Sequence, residues 1–511
     1  MVEREWREAS DLRTSRVALA IVLITAAFLR LWAIHRGIPY AVQVDEPEIV
    51  ERALNMMRSG SLHPHFFDYP GLSLYLQLVV SIVRFVAGAI AGEWYMLAQA
   101  TGGSFYLWGR IVTALIGVAT VLLVYQVGMR WGARHALLAS GLMAVLPLHV
   151  RYSHYVLTDT PLTFFVTLTF LLSLVAHERG TLGSFVSAGA AAGLAAATKY
   201  NGGIALIMPL LACWMTVPLR PGRLKTALAT IAASGIAFLL LAPYTVLDLP
   251  AFLDNFARLA NQYRVAVVGE SLWILYFKYL VRHAFGWPAL LLAFGGMGLG
   301  IARILRGPGR VRWTLAVVFP LVYYAMLTTQ KIVFARYLLP MTPSLCVLAA
   351  AAVVSGVSLL RRYEIPRAAR TALIAALTIA ALLPPALISI TGDRDLARES
   401  TIDQAYAWIL QNIPAGTSIM LERRAMLLPT QYKTTYVSQL RRKSYEELRS
   451  EGVEYVVANS EAYGPALIAP HQYPDDYNDY MRIFTQSREV HKITPTAEIP
   501  GPEMRIFKIV P

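Results

Sequence analysis

Cysteine is almost absent from these 511 residues, with Cys213 and Cys346 each inside an apolar run. Two such thiols make neither a disulfide framework nor a cysteine-based metal site. Charge is also scarce, at 15% of residues against 56% hydrophobic, and the mean hydropathy is +0.48. A water-soluble chain of this length would carry more, so the composition describes a polytopic membrane protein. Acids are the scarcer sign, 32 against 46 Lys and Arg, which leaves a net charge of +14. No basic tail or one-sided basic stretch accompanies that excess. The cations sit in short loops between apolar runs, where they read as topology signals rather than a nucleic-acid surface. Short-period repeats and low-complexity segments are missing too. The first apolar run lacks a small-residue cleavage site, so the N-terminus reads as an uncleaved signal-anchor.

What is abundant is long apolar runs. Twelve begin near residues 16, 71, 105, 136, 160, 184, 202, 226, 286, 313, 338 and 371, each near the length a span requires. Basic loops such as Arg130 with Arg134, Arg179, Arg220 to Lys225 and Arg303 to Arg312 occupy every second connection after residue 105. If they and the N-terminus share the cytoplasmic side, the run from 71 to 91, with Arg84 in its middle, must lie in the interface as a re-entrant or in-plane helix. About eleven spans remain. The expected organisation is a cytoplasmic N-terminus over 1–15, a membrane domain over 16–390 with a first outer loop at 35–104, and an extracytoplasmic α/β domain over 391–511. In that last part "ESTIDQAYAWILQNIPAG" and "SYEELRSEG" read as helices, and "TSIMLE", "VEYVVANS" and "MRIFKIV" as strands.

The remaining charges gather at the outer ends of the runs. Asp45 and Glu46 open "DEPEIVERALNMMRSG", whose Ile49, Ala53, Met56 and Met57 fall at helical spacing, with Pro47 suited to a first turn. His63, His65 and Asp68 follow, then Asp159, Lys199, Lys331 and Arg336. A sugar leaving a polyprenyl phosphate needs a carboxylate to take the acceptor's proton and cations to hold the departing phosphate. Asp45 or Glu46 suits the first task, and Lys199, Lys331 and Arg336 the second. Plainer readings exist: acids favoured in a first helical turn, an N-cap at Asp159, and cations reaching lipid headgroups. The segment around Asp248, Asp254, Arg258 and Arg264 reads as a solvated amphipathic helix.

The order of the motifs "DEP", "HPHFFDYPGLSLYL", "RYSHYVLTDTPLTFF", "GLAAATKYNGG" and "VFARYLLPMTP" resembles the GT-C membrane glycosyltransferases, in particular the family 39 and 83 group of protein O-mannosyltransferases and lipid A aminoarabinose transferases. The resemblance implies a polyprenyl-phosphate sugar donor, inversion at the anomeric carbon, and a plasma-membrane enzyme whose site faces outward. It implies Asp45, with Glu46 beside it, as the catalytic acid pair. It assigns Asp159 and His65 to positioning the acceptor or a cation, and Lys199, Arg336 and Tyr337 to the donor phosphate, beside Lys331, which its charge alone places there. No cofactor is certain; a divalent cation used by some relatives would fall to Asp45, Glu46 and His65. The acceptor stays open between glycolipid, polysaccharide and protein hydroxyl, with no nucleic-acid partner. A transporter of a lipid-linked or small polar substrate and a non-catalytic assembly protein of the same fold are the alternatives.

Overall fold

The computed structural model describes residues 2–38, 40, 43, 45–100, 102–218, 222–262, 271–306, 309–330, 333–359, 366–422, 426–471 and 473–510. The chain divides into two compact units. One comprises Met1–Ile34, Ile49–Ala100 and Trp108–Gly392, and the other His35–Glu48, Thr101–Leu107 and Asp393–Pro511.

The first unit is helical. Among the described residues of the whole chain, eight helical stretches are long and apolar enough to cross a membrane, and three more apolar helices, Ala133–Val145, Leu182–Thr198 and Tyr200–Thr216, are shorter. The chain is an integral, multi-pass membrane protein. Helices form at all of the expected runs, with two differences. Gly71–Ile90 qualifies as a span by length and composition, so nothing in its dimensions requires the in-plane placement expected from charge parity. Its Arg84 pairs with Glu93 just past the helix end and lies 4.6 Å from the Trp94 ring, which gives the cation local partners. The run expected from 286 instead begins at Leu272 and continues through a wide turn at Leu280–Phe285 to Leu305, which removes the last part of the expected outer loop at 244–285.

Two features show how sequence sets this packing. Gly189 and Gly193, one helical turn apart in Leu182–Thr198, face the backbone of Gly222–Leu241; a Cβ there would strike the carbonyl oxygens of Thr230 and Ser234. Small residues let membrane helices approach this closely. Gly193→Leu should therefore lower the thermal midpoint of the detergent-solubilised protein by several degrees, an overpacking cost of roughly 1–3 kcal/mol. The second feature is Pro147, which has no N–H to offer the carbonyl of Met143. The fully buried Arg30 replaces it, donating to the carbonyls of Met143 at 3.1 Å, Ala144 at 2.9 Å and Ala26 at 3.0 Å, and meeting His149 Nδ1 at 2.9 Å. A buried cation is tolerable when both terminal nitrogens of its guanidinium are met in this way.

The second unit is built on a five-stranded sheet: β1 (Ser418–Glu422), β2 (Lys433–Val437), β3 (Tyr455–Asn459), β4 (Arg488–Ile493) and β5 (Met504–Lys508), in the order β2-β1-β3-β5-β4. β1 is parallel to β2 and β3, while β5 runs antiparallel to both β3 and β4. The three expected strands and two expected helices are present; β2, β4 and the helices Ser460–Ile468 and Pro474–Gln486 are additional. Helix Thr401–Asn412 starts with a capping box between Ser400 and Asp403 and buries Ala405 and Ile409. The segment 35–48 joins this unit. Tyr40 stacks on Tyr406 at 3.9 Å between ring centres, its carbonyl accepts the Leu427 N–H at 2.7 Å, and burial together with the Asp403 carboxylate pushes its phenol up to about 12.

Candidate active site

Three helix ends bring Asp159, Lys199 and Arg336 together in the first unit. Asp159 is the first residue of helix Asp159–Arg179, after Thr158. Lys199 is the extended residue between helix Leu182–Thr198 and the tight turn Tyr200–Leu206. That turn folds back because Gly202 sits against the backbone of Ala195, where a Cβ would collide. Arg336 and Tyr337 lie in a further tight turn, Ala335–Met341, entered from extended Phe334.

The Lys199 ammonium is 2.7 Å from Asp159 Oδ1, and Arg336 Nε is 3.5 Å from Oδ2. Asp159 and Arg336 are buried, at 2% and 6% exposure. Asp159 was equally readable as a helix cap, but its side chain caps nothing; both carboxylate oxygens face cations. Aromatic rings complete the walls: Tyr337 lies 4.4 Å and Tyr69 6.0 Å from the Lys199 nitrogen, and Phe334 lies 4.6 Å from the Arg336 guanidinium carbon. Such faces favour cations electrostatically. Close by in sequence, Asn201 donates to the Tyr323 hydroxyl at 2.9 Å and Tyr200 to the carbonyl of Phe67 at 3.0 Å. Two cations fixed in a poorly hydrated place suit an anionic group such as a phosphate.

The other expected site residues have different settings. Asp45 and Glu46 belong to the second unit. Glu46 begins helix Glu46–Ser59 and is fully buried, and its carboxylate accepts the Gln43 N–H at 2.8 Å. The Asp45 N–H bonds to Gln43 Oε1 at 2.7 Å, and the residue is half-buried. The expected apolar positions Ile49, Ala53, Met56 and Met57 are buried. His65 is exposed, has φ of 47°, and stacks on His63 at 3.9 Å. It makes no hydrogen bond or ion pair to Asp159 among the described residues. His63 has the stronger connections: its Nδ1 accepts the His65 N–H at 2.8 Å, so Nε2 carries the proton donated to Asp248 at 2.9 Å. Arg258 likewise reaches Asp68 at 2.6 Å. Asp248 and Arg258 thus tie helix Leu249–Gln262 to the 63–68 segment instead of facing only solvent; Arg264, like Lys331, lies outside the described residues. His154 is a structural tie, its ring nitrogens 2.9 and 3.0 Å from the carbonyls of Val150 and Trp32, and burial lowers it to about 4. No group of three or more His, Cys, Asp or Glu able to hold a metal ion occurs among the described residues, so the suggested cation set of Asp45, Glu46 and His65 is not assembled there.

Tyr69, Phe334 and Tyr323 were not singled out from sequence. Tyr69 and Phe334 do lie inside the "HPHFFDYPG" and "VFARYLLP" motifs, so those motifs were the available signal.

Residues 17–256 match the family described as dolichyl-phosphate-mannose-protein mannosyltransferase. No functionally curated protein matches the chain in sequence. Among solved structures, the chain is similar to the archaeal oligosaccharyltransferase AglB from Archaeoglobus fulgidus, in complex with an inhibitory peptide and a dolichol-phosphate. The identity is 14% and the TM-score 0.60, over 96% of this chain and 74% of that one. It is also similar to ArnT from Cupriavidus metallidurans. In the apo state the identity is 15% and the TM-score 0.59 over 96% and 98% of the two chains; bound to undecaprenyl phosphate the TM-score is 0.55 over 97% and 98%. At these identities the likeness establishes a shared GT-C-type fold.

Proposed function

We propose that this chain, whose residues 17–256 carry a glycosyltransferase domain of the dolichyl-phosphate-mannose-protein mannosyltransferase family, is an inverting transferase. It moves a sugar from a polyprenyl-phosphate donor to an extracytoplasmic acceptor, a glycolipid, polysaccharide or protein hydroxyl. The observation that supports it best is the Lys199 and Arg336 pair held by one buried carboxylate. The structures bearing dolichol-phosphate and undecaprenyl phosphate are similar over nearly the whole chain, which favours a lipid-borne phosphate as the anion.

In this reading the acceptor hydroxyl attacks the anomeric carbon from the face opposite the leaving group and gives its proton to Asp45. The bond from the anomeric carbon to the phosphate oxygen breaks, and its electron pair leaves with the polyprenyl phosphate. Lys199 and Arg336 stabilise the charge that grows on that phosphate. Asp159 keeps the two cations in place, a different task from the acceptor positioning expected from sequence. Glu46 fixes the Gln43 to Glu46 turn and with it the backbone that presents Asp45. The outer surface of a plasma membrane is the assigned location for the site, with residues 1–15 cytoplasmic and 391–511 outside.

Undecaprenyl phosphate should raise the thermal midpoint of the detergent-solubilised wild type. Lys199→Ala and Arg336→Ala should each weaken that binding by about 10-fold or more, the loss of one charge-assisted contact. Equal stabilisation of wild type and both variants would remove these residues from the donor site.

A further inference from the structure

A second concentration of cations in the first unit has no part in the transfer reaction. It forms where several helices meet at the face read from sequence as cytoplasmic. Arg312 Nη1 donates to the Arg130 carbonyl at 2.6 Å, and its guanidinium lies 5.6 Å from the ring of Trp131. Trp131 in turn packs edge-on against Trp313, with ring centres 5.6 Å apart. Arg130 pairs with Glu178, yet burial and the nearby positive charge of Arg179 still lower its pKa. Glu178 is the sole acid in the four loops 129–135, 178–183, 217–225 and 302–312.

Topology signals alone need only solvated cations in loops. Here Arg130 and Arg179 lie close together at the ends of two helices, with Arg312 on the Arg130 carbonyl, while Arg134, Arg310 and Arg312 stand at helix starts, the ends that ordinarily collect acids. Helix Arg310–Leu327 has Arg310 and Arg312 in its first turn, no acid there, and no side-chain cap. Helix Ala133–Val145 begins with Arg134 in its first turn, again without an acid or a cap. The contrast is with Asp159 and with Glu46 and Glu48, which open their own helices in the ordinary way. Two donors at the basic cluster, Trp131 Nε1 and Arg312 Nε, are buried without an acceptor. Cations, helix starts and orphan donors all call for an anion from outside the chain.

We propose that Arg130, Arg134, Arg179 and Arg312 with Trp131 bind the phosphodiester headgroup of an anionic membrane phospholipid. The neighbouring surface supports a lipid over a free anion: Met129, Ile301 and Leu305 are exposed apolar side chains next to the basic positions, and inorganic phosphate has no use for them. Trp131 provides the amphipathic ring that membrane interfaces favour. An anionic headgroup would complete the counter-charge that Glu178 alone does not supply, and so hold the ends of four helices in register.

The test places the wild type in nanodiscs of equal phosphatidylglycerol and phosphatidylcholine and counts retained lipids by native mass spectrometry, with inorganic phosphate as a competitor. Phosphatidylglycerol should be retained at least about fivefold over phosphatidylcholine, and R134Q/R312Q should retain the two lipids about equally. Equal retention of the two lipids by the wild type overturns the proposal, as does a preference that survives in folded R134Q/R312Q. If that double variant does not fold, R134E at an exposed position serves in its place and must show the same loss. Complete displacement of the lipid by millimolar inorganic phosphate would make this a free-anion site and overturn the lipid assignment.

Discussion

Membranes containing Asp45→Asn should transfer sugar at least 10²-fold more slowly than wild type, with normal insertion and undiminished binding of undecaprenyl phosphate. The substitution keeps the shape of the side chain and removes its ability to accept a proton, and general-base catalysis contributes about 10²–10⁴-fold. The backbone bond from Asp45 to Gln43 Oε1 does not involve the carboxylate, so the local turn survives. Glu46→Gln behaves differently. Its amide oxygen still accepts the Gln43 N–H, so the turn that presents Asp45 is kept and transfer should fall by less than 10-fold. Parallel single-turnover assays on the two variants separate these roles, and equal losses would contradict the division between base and turn support.

Arg336→Ala should lower kcat/KM by about 10²–10³-fold, the range found when a preorganised donor to a developing negative charge is removed. Asp159→Asn should act by another route. It removes the carboxylate charge that faces two poorly hydrated cations, and breaking a buried pair from one side costs about 3–5 kcal/mol. The expected result is a clearly lower thermal midpoint together with slower transfer. Combining Asp159→Asn with Arg336→Ala removes one cation along with the carboxylate, so it should destabilise less than the sum of the single changes. Thermal unfolding of the four proteins measures the coupling, and strict additivity would show that the 3.5 Å separation between the two groups carries no interaction.

The parts of this structure legible in sequence were those governed by short-range rules. Apolar runs located the helices, and the spacing of Ile49, Ala53, Met56 and Met57 correctly gave the buried face of helix Glu46–Ser59. The "TSIMLE" and "VEYVVANS" runs became β1 and β3, buried at nearly every position. β2 and β4 were missed because "KTTYV" and "REVHKI" carry the weaker pattern of strands at the edges of a sheet, with charged or exposed positions.

Lys199 and Arg336 were picked out by motif, but their common attachment to Asp159 joins residues 40 and 177 positions away, which periodicity cannot reveal. The grouping of 35–48 with the C-terminal sheet was illegible for the same reason. Tyr40 stacked on Tyr406 is a contact between positions with no local pattern in common. His65 has a setting that no local pattern gives. The resemblance named His65 for positioning an acceptor or a cation; in the structure a left-handed backbone turn places its ring on His63, and His63 meets Asp248.

The proposed reaction is transfer of a sugar from a lipid phosphate. Its most direct measurement incubates the purified wild type with a panel of labelled polyprenyl-phosphate sugars and extracted membrane acceptors, then follows both label and lipid. One donor should yield free polyprenyl phosphate in equal amount to the label gained by an acceptor, with the anomeric configuration inverted. Folded protein that consumes none of these donors, or that moves label only from a soluble sugar nucleotide, would contradict it.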